Sequence, residues 1–143
     1  MKHILTLFFL IILSFSLNAQ TKGDITVRIE GMTSPQGTMM IFVSRNESEF
    51  KEHSTTKLSF KVPAKMPITT TVLNLPLGKY AVSVYHDENN NGKIDKNIIG
   101  IPKEKYGISN NKYSKIGAQP PFSVAAVEVT KEPKTIQIKL RKF

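Results

Sequence analysis

Lys134-Thr135-Ile136-Gln137-Ile138-Lys139-Leu140-Arg141 alternates apolar and polar side chains without a break. Successive side chains of a strand point to opposite faces, so Ile136, Ile138 and Leu140 share one side. Gln137, Lys139 and Arg141 then share the other. A helix would spread the same three apolar residues around its circumference, so this stretch reads as a half-buried β-strand.

The pattern recurs upstream. Asp24–Glu30 places Ile25, Val27 and Ile29 between polar residues, and Lys57–Val62 does the same with Leu58, Phe60 and Val62. Gly37–Arg45 follows a Ser34-Pro35-Gln36-Gly37 turn and carries Met39, Ile41 and Val43 on one face. Its other face carries Met40 and Phe42, so burial on both sides is expected. Ile68–Leu75 is rich in β-branched residues, and Lys79–His86 sets Tyr80, Val82 and Val84 opposite Ala81, Ser83 and Tyr85. Phe122–Thr130 completes the set. Helical periodicity is confined to Glu47–His53, where Asn46 or Ser48 would cap a short turn. About seven short strands, separated by Pro- and Gly-containing turns, predict an all-β antiparallel β-sandwich, Ig-like or transthyretin-like. A closed barrel is the second choice.

The N-terminus reads differently. Met1-Lys2-His3 is basic, Ile4–Leu17 is apolar and uncharged, and Leu17-Asn18-Ala19 supplies small or tolerated residues before Gln20. This is the order of a secretory signal peptide, expected to be cleaved after residue 19. The apolar run is shorter than the roughly 20 residues of a membrane span. The expected mature chain, residues 20–143, is a single β-sandwich domain. It is large enough for a core without disulfide staples. The chain contains no cysteine, which excludes thiol catalysis, thiolate metal sites and a lipid-anchored N-terminus. The formal charge is +9, but the lysines are scattered and arginine occurs only at 28, 45 and 141. Export and dispersed charge together argue against a nucleic-acid partner. The expected location is the periplasm or the outside of the cell, with no membrane span after cleavage.

Between His86 and Phe122 the alternation stops for about 35 residues, long enough to suggest a functional loop. It opens with His86-Asp87-Glu88-Asn89-Asn90-Asn91-Gly92-Lys93-Ile94-Asp95. Asp87, Asn89 and Asn91 offer oxygens at alternate positions, Gly92 permits a sharp turn, and Lys93 can offer its carbonyl. Asp95 falls at the ninth position of an EF-hand calcium loop. The twelfth position, where a bidentate Glu belongs, is Ile98. Glu104 is the first substitute and Glu88 the second. The candidate metal set is therefore Asp87, Asn89, Asn91, Lys93, Asp95 and Glu104, for Ca²⁺ at about 10⁻⁴–10⁻³ M. The competing reading is a metal-free turn in which the Asp and Asn side chains bond their own backbone.

Three linked motifs carry a family resemblance: Leu75-Pro76-Leu77-Gly78-Lys79-Tyr80-Ala81-Val82, the His86–Asp95 stretch, and Gly100-Ile101-Pro102-Lys103-Glu104 with Tyr106-Gly107-Ile108-Ser109-Asn110-Asn111. Together they resemble the exported bacterial family termed domain of unknown function 2141. The resemblance implies an exported β-domain of a Gram-negative bacterium and no particular activity.

Other residues carry weaker signals. His86 beside Asp87 could serve as a base, although a structural histidine is the simpler reading. Tyr106, Tyr113 and Phe122 could form a sugar-stacking platform or could pin the long loop to the core. These features point to a non-enzymatic exported binding or structural module, with an unidentified envelope or extracellular partner, a glycan among the candidates. The alternatives are a carbohydrate-binding module and a small glycan-acting hydrolase using Asp87, Asp95 or Glu104.

Overall fold

The computed structural model describes residues 21–52, 58–113 and 119–142. The signal peptide expected over residues 1–19, the start at Gln20 and His53 lie outside the described residues. Among the described residues there are eight strands: β1 Lys22–Glu30, β2 Thr38–Ser44, β3 Leu58–Pro63, β4 Ile68–Pro76, β5 Gly78–Asp87, β6 Tyr106–Ile108, β7 Val127–Val129 and β8 Lys134–Lys139. Two short helices accompany them, α1 Glu47–Lys51 and α2 Phe122–Ala125. One sheet runs β4-β1-β8, the other β3-β2-β5-β6, with β7 paired to the start of β5. This is the expected all-β sandwich.

The alternating residues make the core. Ile25, Val27 and Ile29 of β1 and Ile138 of β8 are fully buried against Met39, Ile41 and Val43 of β2 and Val82 of β5. Burying each such side chain contributes about 1.5–3 kcal/mol. Gly107 of β6 lies so close to β8 that a Cβ would stand 2.5 Å from Cγ2 of Ile138. The Ile138 side chain therefore packs directly on the β6 backbone at that point.

One pairing departs from the antiparallel expectation. β8 lies parallel to β1, with Val27 opposite Ile136 and Ile29 opposite Ile138. The cause is the connection: β7 belongs to the larger sheet, so the Lys131-Glu132-Pro133 turn carries the chain across to the smaller one. It does not fold β8 back on β7 as a hairpin. Parallel strands need such a crossover.

The expected Phe122–Thr130 strand is also corrected. Residues 122–125 form α2, and only Val127–Val129 are extended. Glu47 Oε2 accepts the Phe122 N–H at 2.7 Å, and Phe122 packs edge-on against Phe50 with ring centroids 6.3 Å apart. These contacts with α1 outweigh the local alternation. Asn46 caps α1 by accepting the Glu49 N–H at 2.9 Å, the role the sequence offered to it or to Ser48.

The described part of the long segment after β5 contains several short elements. A bridge joins Lys96 to Pro102, β6 extends the larger sheet, and a turn at Ser109–Asn111 follows. In that turn Asn110 and Asn111 adopt positive φ, 64° and 52°. Asparagine tolerates this conformation because its short amide bonds locally. Here the amides reach later segments of the same chain: Nδ2 of Asn110 donates to the Val124 and Ala126 carbonyls, and Nδ2 of Asn111 to that of Gln137.

Candidate functional site

The oxygen-rich loop begins on a strand. Asp87 is the last residue of β5, paired with Thr38 of β2, and is 2% exposed. Gly37 makes room for it: φ is +81° and a Cβ there would lie 2.1 Å from the Asp87 carbonyl oxygen. Only glycine fits a left-handed position this close to another backbone. Asp87 Oδ1 accepts the Asn91 N–H at 3.1 Å and Oδ2 the Gly92 N–H at 2.8 Å. Asn89 Oδ1 also accepts from Asn91 N at 3.1 Å, and Asn91 Oδ1 accepts from Lys93 N at 2.8 Å. Asp95 receives both amides, Nδ2 of Asn89 at 2.7 Å and Nδ2 of Asn91 at 2.9 Å.

Glu104 returns to this loop from nine residues beyond Asp95. It is 8% exposed, and its two oxygens accept the N–H groups of Glu88 and Asp95, each at 3.2 Å. Burial pushes its carboxyl above the ordinary range. The two backbone N–H groups oppose that rise, and the charges of Asp87 and Asp95 add to it. The same field reaches Tyr85, whose phenol is pushed up to about 12 by burial first and then by Asp87 and Glu104. Among the described residues, neither Lys nor Arg forms an ion pair with Asp87, Asp95 or Glu104. Ile98, at the twelfth position, projects fully into solvent. Glu88 turns elsewhere, its Oε1 3.4 Å from Nδ1 of His86.

The structure thus brings together Asp87, Asn89, Asn91, Asp95 and Glu104, with the Lys93 backbone in the same turn. As arranged, the ladder is one of hydrogen-bonded Asx turns. Among the described residues no three His, Asp or Glu side chains are disposed as a metal cluster. For these oxygens to converge on a cation, the amides of Asn89 and Asn91 must release Asp95 and turn. The chemistry offered is hard oxygen donation from a mixed set of carboxylates, amides and a carbonyl.

Residues 27–137 match the family described as "Uncharacterized protein conserved in bacteria (DUF2141)". The chain belongs to this family. No curated protein and no solved structure matches it. The span matched to DUF2141 contains the whole loop, Glu104 and the strands that carry them.

In this DUF2141 domain His86 is fully buried, with Nε2 2.6 Å from the Gln36 carbonyl oxygen. Since a carbonyl only accepts, Nε2 carries the proton and the ring ties β5 to the turn before β2. The three aromatic candidates pack inward. Tyr106 meets Tyr113 edge-on at 5.9 Å, Tyr113 donates to the Lys139 carbonyl at 2.7 Å, and Arg141 lies over the Tyr113 ring at 4.6 Å. These rings pin the long segment to the strands.

A second feature escaped the sequence reading. The outer face of the larger sheet is covered by the segment around the Lys96–Pro102 bridge, leaving a cavity of about 460 Å³. Its signal was present in the apolar outer residues of β2, Met40 and Phe42. A strand face turned toward water would not carry them.

Proposed function

We propose that this DUF2141 protein is an exported, non-enzymatic binding module whose long loop is set by calcium. The supporting observation is that Asp87, Asp95 and Glu104 share one loop without a cationic partner among the described residues. A buried carboxylate beside two others is costly, and a divalent cation offsets that cost. Asn89, Asn91 and the Lys93 carbonyl bring the donors to the six or more that Ca²⁺ prefers. Export rests on the N-terminal order of basic, apolar and small residues, and it places the protein where free calcium is abundant enough for a weak site. The partner is an envelope or extracellular molecule. A hydrolase needs two carboxylates facing across a gap. Here Asp87 and Glu104 hold backbone N–H groups of one loop, and Asp95 holds its Asn89 and Asn91 side-chain amides, which supports the binding role over the catalytic one.

The test is a thermal melt with calcium at about ten times the dissociation constant against chelator, in wild type and Asp87→Asn. The gain expected is about 1.4 kcal/mol, a rise of a few degrees for a domain this size. Asparagine keeps one acceptor for the Asn91 and Gly92 N–H groups, so the apo protein stays folded while the calcium response shrinks. Magnesium, which demands a tighter octahedron, should do less. A wild-type melt indifferent to calcium would leave the loop a metal-free turn.

A further inference from the structure

The cavity on the outer face of the larger sheet is chemically lopsided. Phe42 and Tyr85 form one wall, their rings stacked with centroids 5.7 Å apart. Ile99 and Ile101 form part of the opposite wall, and they are 74% and 39% exposed. A folded loop that holds large aliphatic side chains out of the core gains nothing from burial unless something covers them. The loop is not loosely placed: the Asn97 side chain accepts the Ile99 and Ile101 N–H groups at 3.1 and 2.9 Å.

Two polar groups meet this apolar space. Ser83, on β5 between Val82 and Val84, is 6% exposed, and its hydroxyl has no hydrogen-bond partner. Buried hydroxyls are nearly always satisfied, so an orphan on a cavity wall points to a missing partner. Lys96 stands at the rim. The other lysine there, Lys51, is already paired with Glu47 at 3.2 Å, whereas Lys96 forms no ion pair among the described residues.

We propose that this cavity binds a small organic anion with an apolar body, a monocarboxylate whose chain lies between Tyr85 and Ile101 and whose head group meets Lys96. The volume of about 460 Å³ suits a small molecule. A sugar would require polar partners on most sides, whereas Phe42, Val84, Ile94, Ile99 and Ile101 make much of this lining apolar. The site is separate from the Asp87–Glu104 ladder, so the inference does not depend on calcium.

The test uses decanoate as the probe, with the full mature chain in chelator and amide chemical shifts as the readout. Expected is saturable binding with shifts centred on Ser83, Tyr85, Ile99 and Ile101. Lys96→Glu should weaken decanoate about tenfold or more, while decanol, which lacks the charge, should bind more weakly and change little. Ile99→Asp should weaken both. Both substituted side chains are exposed, so folding is not at stake. The proposal is overturned by decanoate shifts that do not saturate, by shifts centred outside the cavity, or by equal decanoate affinity in wild type and Lys96→Glu. Decanol binding as tightly as decanoate would also overturn it, leaving a merely apolar cavity.

Discussion

Glu104 Oε2 accepts the backbone N–H of Asp95 at 3.2 Å, while the Asp95 carbonyl accepts the N–H of Lys103, beside Glu104, at 2.7 Å. The two acidic residues are thus tied together by backbone groups, and among the described residues neither forms an ion pair with Lys or Arg. In Glu104→Gln one oxygen is replaced by a donor, which removes both the charge and one acceptor. The calcium-dependent rise in melting temperature should fall to less than half that of wild type. Calorimetric titration of the two proteins provides the check.

Gly37 governs the approach of the β1–β2 connection to Asp87. In Gly37→Ala the new methyl would stand 2.1 Å from the Asp87 carbonyl oxygen, at a φ of +81°. Backbone on both sides leaves little to yield, so a loss of about 1–3 kcal/mol is expected. Denaturant unfolding measures it, and a weakened calcium response should accompany the loss because Asp87 moves.

Gly107 and Ile138 should be coupled. Gly107→Ala alone should cost about 1–3 kcal/mol through overpacking, and Ile138→Ala about 2–5 kcal/mol through the cavity it leaves. Removing the Ile138 Cγ2 frees the space that the alanine methyl needs. A double-mutant cycle should find the pair less destabilised than the sum by about 0.5–3 kcal/mol. Simple additivity would show that the sheets re-space instead.

Glu47 predicts an acid-side pH dependence. The Phe122 N–H, then Lys51, hold its carboxyl below the ordinary value of 4.5. A lowered folded-state value means the unfolded chain binds the proton first, so stability is lost on acidification. The advantage of wild type over Glu47→Gln should be full above about pH 4.5 and vanish as pH falls through the lowered value. Urea unfolding across that range tests it, and a gap that persists at the acid end would assign the effect to packing.

Much of this architecture was legible because burial and alternation coincide. In β8 every second side chain, Ile136 and Ile138, enters the core, so the local pattern reports the global one. Phe122–Thr130 misled because Phe122 and Val124 alternate like strand residues, while the deciding partners, Glu47 and Phe50, lie on α1 about 75 residues earlier in the chain. The parallel β1–β8 pairing was invisible for the same reason. The loop oxygens were legible from their spacing, since Asx turns are local. Gly37 was legible only as a turn residue, not as the space into which Asp87 fits. The outer cavity was half-announced: Met40 and Phe42 signalled a covered face but not what covers it.

The adjacency of β1 and β8 fixes when the smaller sheet can be completed. β1 has two partners, and the second, Lys134–Lys139, is made after every other described strand. Until it arrives, one side of β1 presents unpaired backbone groups, an edge that other chains can extend. Contacts of such long sequence separation also slow folding. Chains stopped before Lys134 should therefore self-associate, and the β1–β4 pair should form before β8 completes the smaller sheet.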